Sequence, residues 1–325
     1  MTPQPLATST AKRNVRLFMA FRILFNIRFY YPVFMVMFLR YGITLEQFGL
    51  LNAVWAVVIV LLEVPSGALA DILGRKALLV AAAIMMTIEM LLLAVVPIGS
   101  SWVFPALLLN RVLSGAAEAF ASGADEALAF DSLKAVGKDG DWPRVLERLM
   151  QVGGLATIVA MVTGSLVYSP DLIQEASDWA GYNASITLDD TFRLPVWLTF
   201  FSGCGAILVT LAMRELPREE SAKHVTLLDP FKQTFKTGRW ILTNPMVLIV
   251  IAAGVLFDQP IRQLLVVSSQ LYARIDIPVL YFGVISAGTA VIGLLAASPM
   301  RRLATSQSPK ANFRLIFTTV IFGLS

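Results

Sequence analysis

The sequence predicts an all-α membrane protein, and three observations predict it. Hydrophobic residues make up 57% of the 325 positions and charged residues only 15%, where a soluble domain carries about 25% charge. The apolar residues gather into runs of about 20, the length a helix needs to cross a hydrocarbon core. The lysines and arginines fall unevenly between the segments that join those runs. Lipid admits only helices and closed barrels, because each satisfies its own backbone, and these runs are too long for barrel strands. So few charges cannot clothe a water-facing surface. That excludes a soluble globular enzyme, a disordered chain and a nucleic-acid-binding module. One cysteine, Cys204, leaves no disulfide framework or thiolate cluster, and one histidine, His224, leaves no two-histidine metal site. Neither a metal nor a cofactor is expected.

Taken in order, the expected spans are Leu17–Leu39, Gln47–Leu69, Ala77–Pro97, Val103–Ala129, Leu149–Tyr168, Leu194–Met213, Met246–Gln270 and Val279–Pro299, with a ninth beginning near Ala311. Residues 1–16 read as a cytoplasmic tail: they are polar, hold Pro3 and Pro5, and show no cleavage pattern of a secretory signal. Residues 17–213 form a six-helix bundle, 214–245 a cytoplasmic central loop, and 246–325 a partial second bundle. In the central loop, Thr226–Phe235 is expected as a short surface helix and His224 as a solvated loop residue.

Orientation follows from charge. With a cytoplasmic N-terminus, nineteen of the 26 lysines and arginines lie inside and three, Arg40, Arg193 and Arg274, lie outside. The long outer loop Ser169–Phe192 holds five acids and no base. Positive residues favour the cytoplasmic side, so this orientation is the expected one.

Sliding the chain against itself by 234 positions reveals a repeat. Arg28 meets Arg262, Arg40 meets Arg274, Phe48-Gly49 meets Phe282-Gly283, Ala53 and Ala56 meet Ala287 and Ala290, and Lys76 meets Lys310. The paired arginines carry most weight, since alanine matches are common in such a composition. The repeat makes the sequence read as a truncated form of a twelve-helix protein, ending at the start of its ninth span.

Spans two and three are joined by Gly67-Ala68-Leu69-Ala70-Asp71-Ile72-Leu73-Gly74-Arg75-Lys76. Gly74 suits a tight reversal; Gly67 suits a close helix approach. Asp71 and Arg75 are near enough to bond each other or nearby helix ends. This loop resembles the GxLaDrxGRr signature of the major facilitator superfamily, with Ile72 in place of a basic residue and Lys76 in place of arginine. The fourth-span run Leu107 to Gly115, centred on Arg111, is similar to the family's LxxxRxxxG pattern. The resemblance implies a complete six-helix N-terminal bundle followed by helices seven, eight and the start of nine. It implies that the Gly67–Lys76 loop latches the two bundles on the cytoplasmic side, and that helices one, four and seven line a central cavity.

Charges within the spans are the candidate site. A charge at mid-bilayer costs at least about 2.5–3.5 kcal/mol on insertion scales, so it should face a partner or a wet cavity. Arg28, Glu89, Arg111, Glu118, Asp258 and Arg262 lie at such depth. At 100° per residue Arg111, Glu118 and Asp125 share one stripe, with Ser114 and Ser122 beside it. Asp258 and Arg262 are four apart and share a face. The alternatives are static ties, Arg111 to Glu118 and Asp258 to Arg262. Asn26 lies on the side of its helix away from Arg28, and Arg22 is expected to snorkel to the surface. Asp125, Glu126 and Asp131, at the inner end of span four, are expected either as gate partners of Arg75 or Lys76 or as a solvated helix end.

These readings predict a secondary transporter working by alternating access, with a small organic molecule and protons as its partners, the lipid bilayer as its solvent, no nucleic acid, and a monomeric state. Glu118 is the first expected proton carrier, then Asp258 or Glu89, because burial and a neighbouring arginine tune a carboxyl in opposite directions. Export from a bacterial cytoplasmic (inner) membrane is the expected direction and place. The alternatives are organic-anion uptake or exchange, suggested by the arginines, and an inactive remnant. The fifth span lacks the Gly-Pro pair of many drug exporters, and no phosphate-binding loop marks an ATP-driven pump.

Overall fold

A computed structural model describes residues 5–182, 185–215, 236 and 238–306. Its helices are α1 Pro5–Asn26, α2 Phe34–Arg40, α3 Leu45–Leu73, α4 Arg75–Val95, α5 Val103–Ala121, α6 Ala124–Lys134, α7 Trp142–Tyr168, α8 Pro170–Trp179, α9 Leu188–Thr191, α10 Leu194–Ala212, α11 Pro245–Arg274 and α12 Leu280–Ser306. No strand occurs among the described residues. Among the described residues, six stretches are long and apolar enough to cross a membrane: Ser9–Arg40, Leu45–Leu73, Arg75–Val95, Val103–Lys134, Asp139–Tyr168 and Leu188–Ala212. They coincide with the first six expected spans, and α11 and α12 fall where the seventh and eighth were expected. The expected ninth span, the expected helix Thr226–Phe235 and His224 lie outside the described residues.

Two spans are broken where the sequence reading ran them through. The first starts early, since α1 is helical from Pro5 through the segment read as a tail. Asn14 explains part of this. It is fully buried and its amide donates to Ser132 Oγ at 2.9 Å and to the Arg214 carbonyl at 2.7 Å. The same span then breaks after Asn26 and resumes through a short 3₁₀ turn, Tyr31–Val33, into α2. Pro32 supplies the cause: in a continuous helix it would have no N–H to give the Arg28 carbonyl, and its ring would clash with that carbonyl. The freed amides find other partners, as lipid requires. Phe29 N–H donates to Thr199 Oγ1 at 3.1 Å.

The fourth span breaks at Ser122-Gly123. Gly123 takes a left-handed conformation, φ 72°, which resets the azimuth of everything after it. Asp125 therefore leaves the stripe on which periodicity placed it with Arg111 and Glu118. Between α3 and α4 a single residue, Gly74, makes the reversal with φ 101°.

The N-terminal bundle buries two apolar clusters at different depths. One, at the Arg40 end, includes Tyr30, Phe34, Phe38, Phe48, Met90, Leu93, Leu107 and Val196. The other, at the Arg75 end, includes Phe21, Phe25, Ala83, Met86, Ala117, Ala121 and Ala206. Each helix that runs from one cluster to the other carries polar residues between them: Arg28, Glu89, Asn110 with Arg111, and Thr199 with Ser202, all buried. Close contact uses small residues. A Cβ on Gly115 would meet the Trp55 carbonyl oxygen at 2.8 Å, and one on Gly203 would meet Thr87 Oγ1 at 2.7 Å. Large apolar side chains such as Val60, Leu61, Leu155 and Leu208 stay exposed on the outside of the helices, as expected where lipid is the solvent.

The second half joins the first through α2 on α11 and α7 on α12. At the Arg40 end Phe282 of α12 enters the same apolar cluster as its repeat counterpart Phe48.

Candidate functional site

The polar layer is built around one buried ion pair. Arg28 sits in the break of the first span, and its Nη1 donates to Glu89 Oε1 at 2.6 Å. The two side chains are 5% and 0% exposed. Glu89 Oε2 is buried and accepts no hydrogen bond among the described residues. The face of the Phe25 ring lies 5.5 Å from the Arg28 guanidinium.

Asn110 carries the network one residue further. Its amide donates to the Glu89 backbone carbonyl at 2.8 Å, and its Oδ1 accepts from Arg111 Nε at 2.9 Å and Nη2 at 2.7 Å. Asn110 thereby fixes one edge of the Arg111 guanidinium. Phe38 and Phe34 lie against its plane, 5.0 and 5.5 Å from the ring centroids. Arg111 is 4% exposed, and no carboxylate bonds it among the described residues.

Tyr31 looks onto this layer from the 3₁₀ turn, half exposed. Its phenol lies within electrostatic reach of Arg28, Arg111 and Glu118. Glu118 is exposed, unlike Glu89, and the static Arg111–Glu118 tie does not form among the described ion pairs. The structure thus brings Arg28, Glu89, Arg111 and Glu118 to one region, and adds Asn110 and Tyr31, which the sequence reading did not single out. Asn110 was legible only as a polar residue beside Arg111; its role depends on α4 lying against α5. Asp258 and Arg262 are carried by α11, and their side chains lie outside the described residues.

A second polar cluster holds the Arg75 end. The Arg75 guanidinium pairs with Asp131. Lys76 Nζ donates to the Leu211 carbonyl at 2.8 Å. Glu215 accepts from the backbone N–H of Arg75 at 2.7 Å and of Lys76 at 3.2 Å. It caps α4 from the far end of the bundle, where a carboxylate is favoured by the helix dipole. Asp71 is exposed on the last turn of α3. The sequence reading missed Glu215, because its partners are backbone groups 140 residues away.

Three expectations for this end need correction. Asp125 and Glu126 do not join Arg75 or Lys76; they face Arg22, at 3.2 and 3.6 Å. The break at Gly123 turns them that way. Arg22 is therefore an ion-pair partner and not merely a snorkelling side chain. Among the described residues Gly67 makes no close approach, since nothing lies within 4 Å of where its Cβ would stand. Gly115, pressed on α3, takes that role instead.

The match to a family model decides the class: the description Major Facilitator Superfamily fits residues 17–325. The chain belongs to the major facilitator superfamily. It is therefore a multi-pass membrane protein of a transporter family. No curated protein matches the chain. The chemistry of the polar layer is that of a membrane-buried acid held by a base. An ion pair between Arg28 and Glu89 can exist charged, or Glu89 can take a proton and release Arg28 to another anion.

Proposed function

We propose that this major facilitator couples movement of a small organic molecule to movement of a proton across a bacterial cytoplasmic membrane, by alternating access. Glu89 is the proton carrier and Arg28 its counter-charge. One observation carries this reading: a fully buried carboxylate with one oxygen on Arg28 and the other without a hydrogen bond among the described residues. Such a group is held ready to exchange its arginine for a proton, because the pair compensates the charge only while both partners stay together. Glu118, open to its surroundings, has less need of a partner in either protonation state, so this reading puts Glu89 ahead of Glu118. The nineteen basic residues of the segments read as inner support a cytoplasmic N-terminus.

The test uses liposomes holding the purified protein and a pH-reporting dye, with a ligand first found by its effect on thermal melting. Ligand addition should move protons with the parent chain. E89Q should still exchange labelled ligand but move no protons. Proton movement retained in E89Q and lost in E118Q would transfer the role to Glu118. Running the assay from both faces gives the direction.

A second reading concerns the cargo. Arg111 is buried and rests on a neutral amide in place of a carboxylate. That arrangement favours a substrate carrying its own anionic group, since an ionised partner bonds a guanidinium more strongly than an amide does. Competition between matched carboxylate and amine ligands tests it. Displacement by the amine alone would remove the anion reading.

A further inference from the structure

Helix α2 begins inside a membrane span without a cap of its own. Val33 occupies its N-cap position and has no side-chain oxygen to offer. The first N–H groups of any helix lack intrahelical partners, and in hydrocarbon each one left unbonded is costly. Here Met35 N–H and Val36 N–H, the second and third residues of α2, both donate to Ser269 Oγ, at 3.1 and 3.4 Å. Those are the two amides that a capping side chain ordinarily serves. Ser269 lies on α11, in the other half of the molecule, and is 1% exposed.

Met35 and Ser269 are 234 positions apart, which is the offset of the internal repeat. A residue that touches its own repeat counterpart lies beside the axis relating the two halves. A contact on that axis is broken by any motion that parts the halves at this end, whichever half moves. One further contact joins the halves at the same end: Ser165 Oγ of α7 donates to the Leu280 carbonyl at 3.2 Å.

We propose that Ser269 is a positioning residue: it caps α2 from the opposite half, holds the Arg40 end shut, and fixes the bent first span that carries Arg28 and Tyr31. The inference rests on the alternating-access reading only in treating this contact as a gate. When the end opens, Ser269 leaves Met35 and Val36, and water entering the gap must take its place. The first turn of α2 then loses its fixed anchor, so opening the gate and reshaping the break beside Arg28 are one event.

The test uses the full chain in a Cys204→Ser background, with nitroxide labels at Leu45→Cys and Ile275→Cys. Both positions are exposed, one on each half at the Arg40 end. Pulsed dipolar spectroscopy should show the short separation in the parent and a new, longer one in S269A. S269T, which keeps the hydroxyl, should restore the short separation. Amide hydrogen exchange at Met35 and Val36 should rise about fivefold in S269A. Identical separations and exchange in S269A and the parent would overturn the proposal, as would an S269T that behaves like S269A. Exchange in the unaltered chain gives a reading that needs no variant. Met35 and Val36 should be no more than about tenfold faster than Phe38, and a larger excess overturns the cap. None of these measurements uses a substrate, so a negative result for Glu89 leaves them interpretable.

Discussion

Arg28 and Glu89 meet at 2.6 Å with both side chains withdrawn from solvent, one from the break in the first span and the other from the middle of α4. Removing either partner leaves a buried charge uncompensated, which costs about 3–5 kcal/mol, whereas replacing both with apolar groups can be nearly neutral. R28L and E89L should each lower the melting temperature in detergent strongly, and the double variant less than the sum of the two. Additive effects would mean that the pair does not form. The exposed Arg40–Asp189 pair, also 2.6 Å, is a control: R40Q should change stability by no more than about 1 kcal/mol.

Asn110 stands between Glu89 and Arg111 and serves both. N110L removes the acceptor for Arg111 Nε and Nη2 and the donor to the Glu89 carbonyl. Buried groups left without partners cost about 1–3 kcal/mol. The variant should melt earlier and bind an anionic ligand more weakly, as the guanidinium loses its fixed edge. N110D supplies a carboxylate at the same place and should weaken anion binding further while keeping stability closer to the parent. Calorimetric titration with a ligand from the melting screen measures both. An N110D variant that binds anions as tightly as the parent would dissociate Arg111 from the cargo.

Gly115 and Gly67 should respond in opposite ways to the same change. G115A drives a methyl group into the Trp55 carbonyl and the Val58 side chain, and overpacking of this kind costs about 1–3 kcal/mol. G67A meets open space among the described residues and lies within a helix, where alanine is favoured over glycine by about 1 kcal/mol. Thermal melts of the two variants side by side check the assignment. Equal loss in both would restore Gly67 as the point of close approach.

Glu215 ties the end of the first bundle to the start of α4. E215A removes the acceptor for two helix-terminal amides, a change worth about 1 kcal/mol. Its effect should be local, a faster exchange of the Arg75 and Lys76 amides with the core of α4 unaltered. Hydrogen exchange resolved to that segment gives the answer, and unaltered exchange there would show that the cap is not made in solution.

Some of this molecule was fixed by its residues alone. Apolar runs of spanning length determined the helices and their solvent, because hydropathy is a sum over neighbours in the chain and needs no partner. The reversal at Gly74 was equally local, since only glycine takes φ 101° without strain. Paired arginines 234 positions apart carried the repeat. What periodicity could not give was partner choice. A stripe at 100° per residue joined Arg111 to Asp125 only while the fourth span stayed one helix, and a left-handed Gly123 ended that. Asn14 read as a tail residue until α6 packed beside it. Glu215 and Ser269 bond backbone amides 140 and 234 residues away, and an amide carries no mark in the sequence of whether its own helix will serve it. The tertiary structure decided those partners, because in lipid each broken helix must find replacements for its lost hydrogen bonds, and only the packed neighbours can supply them.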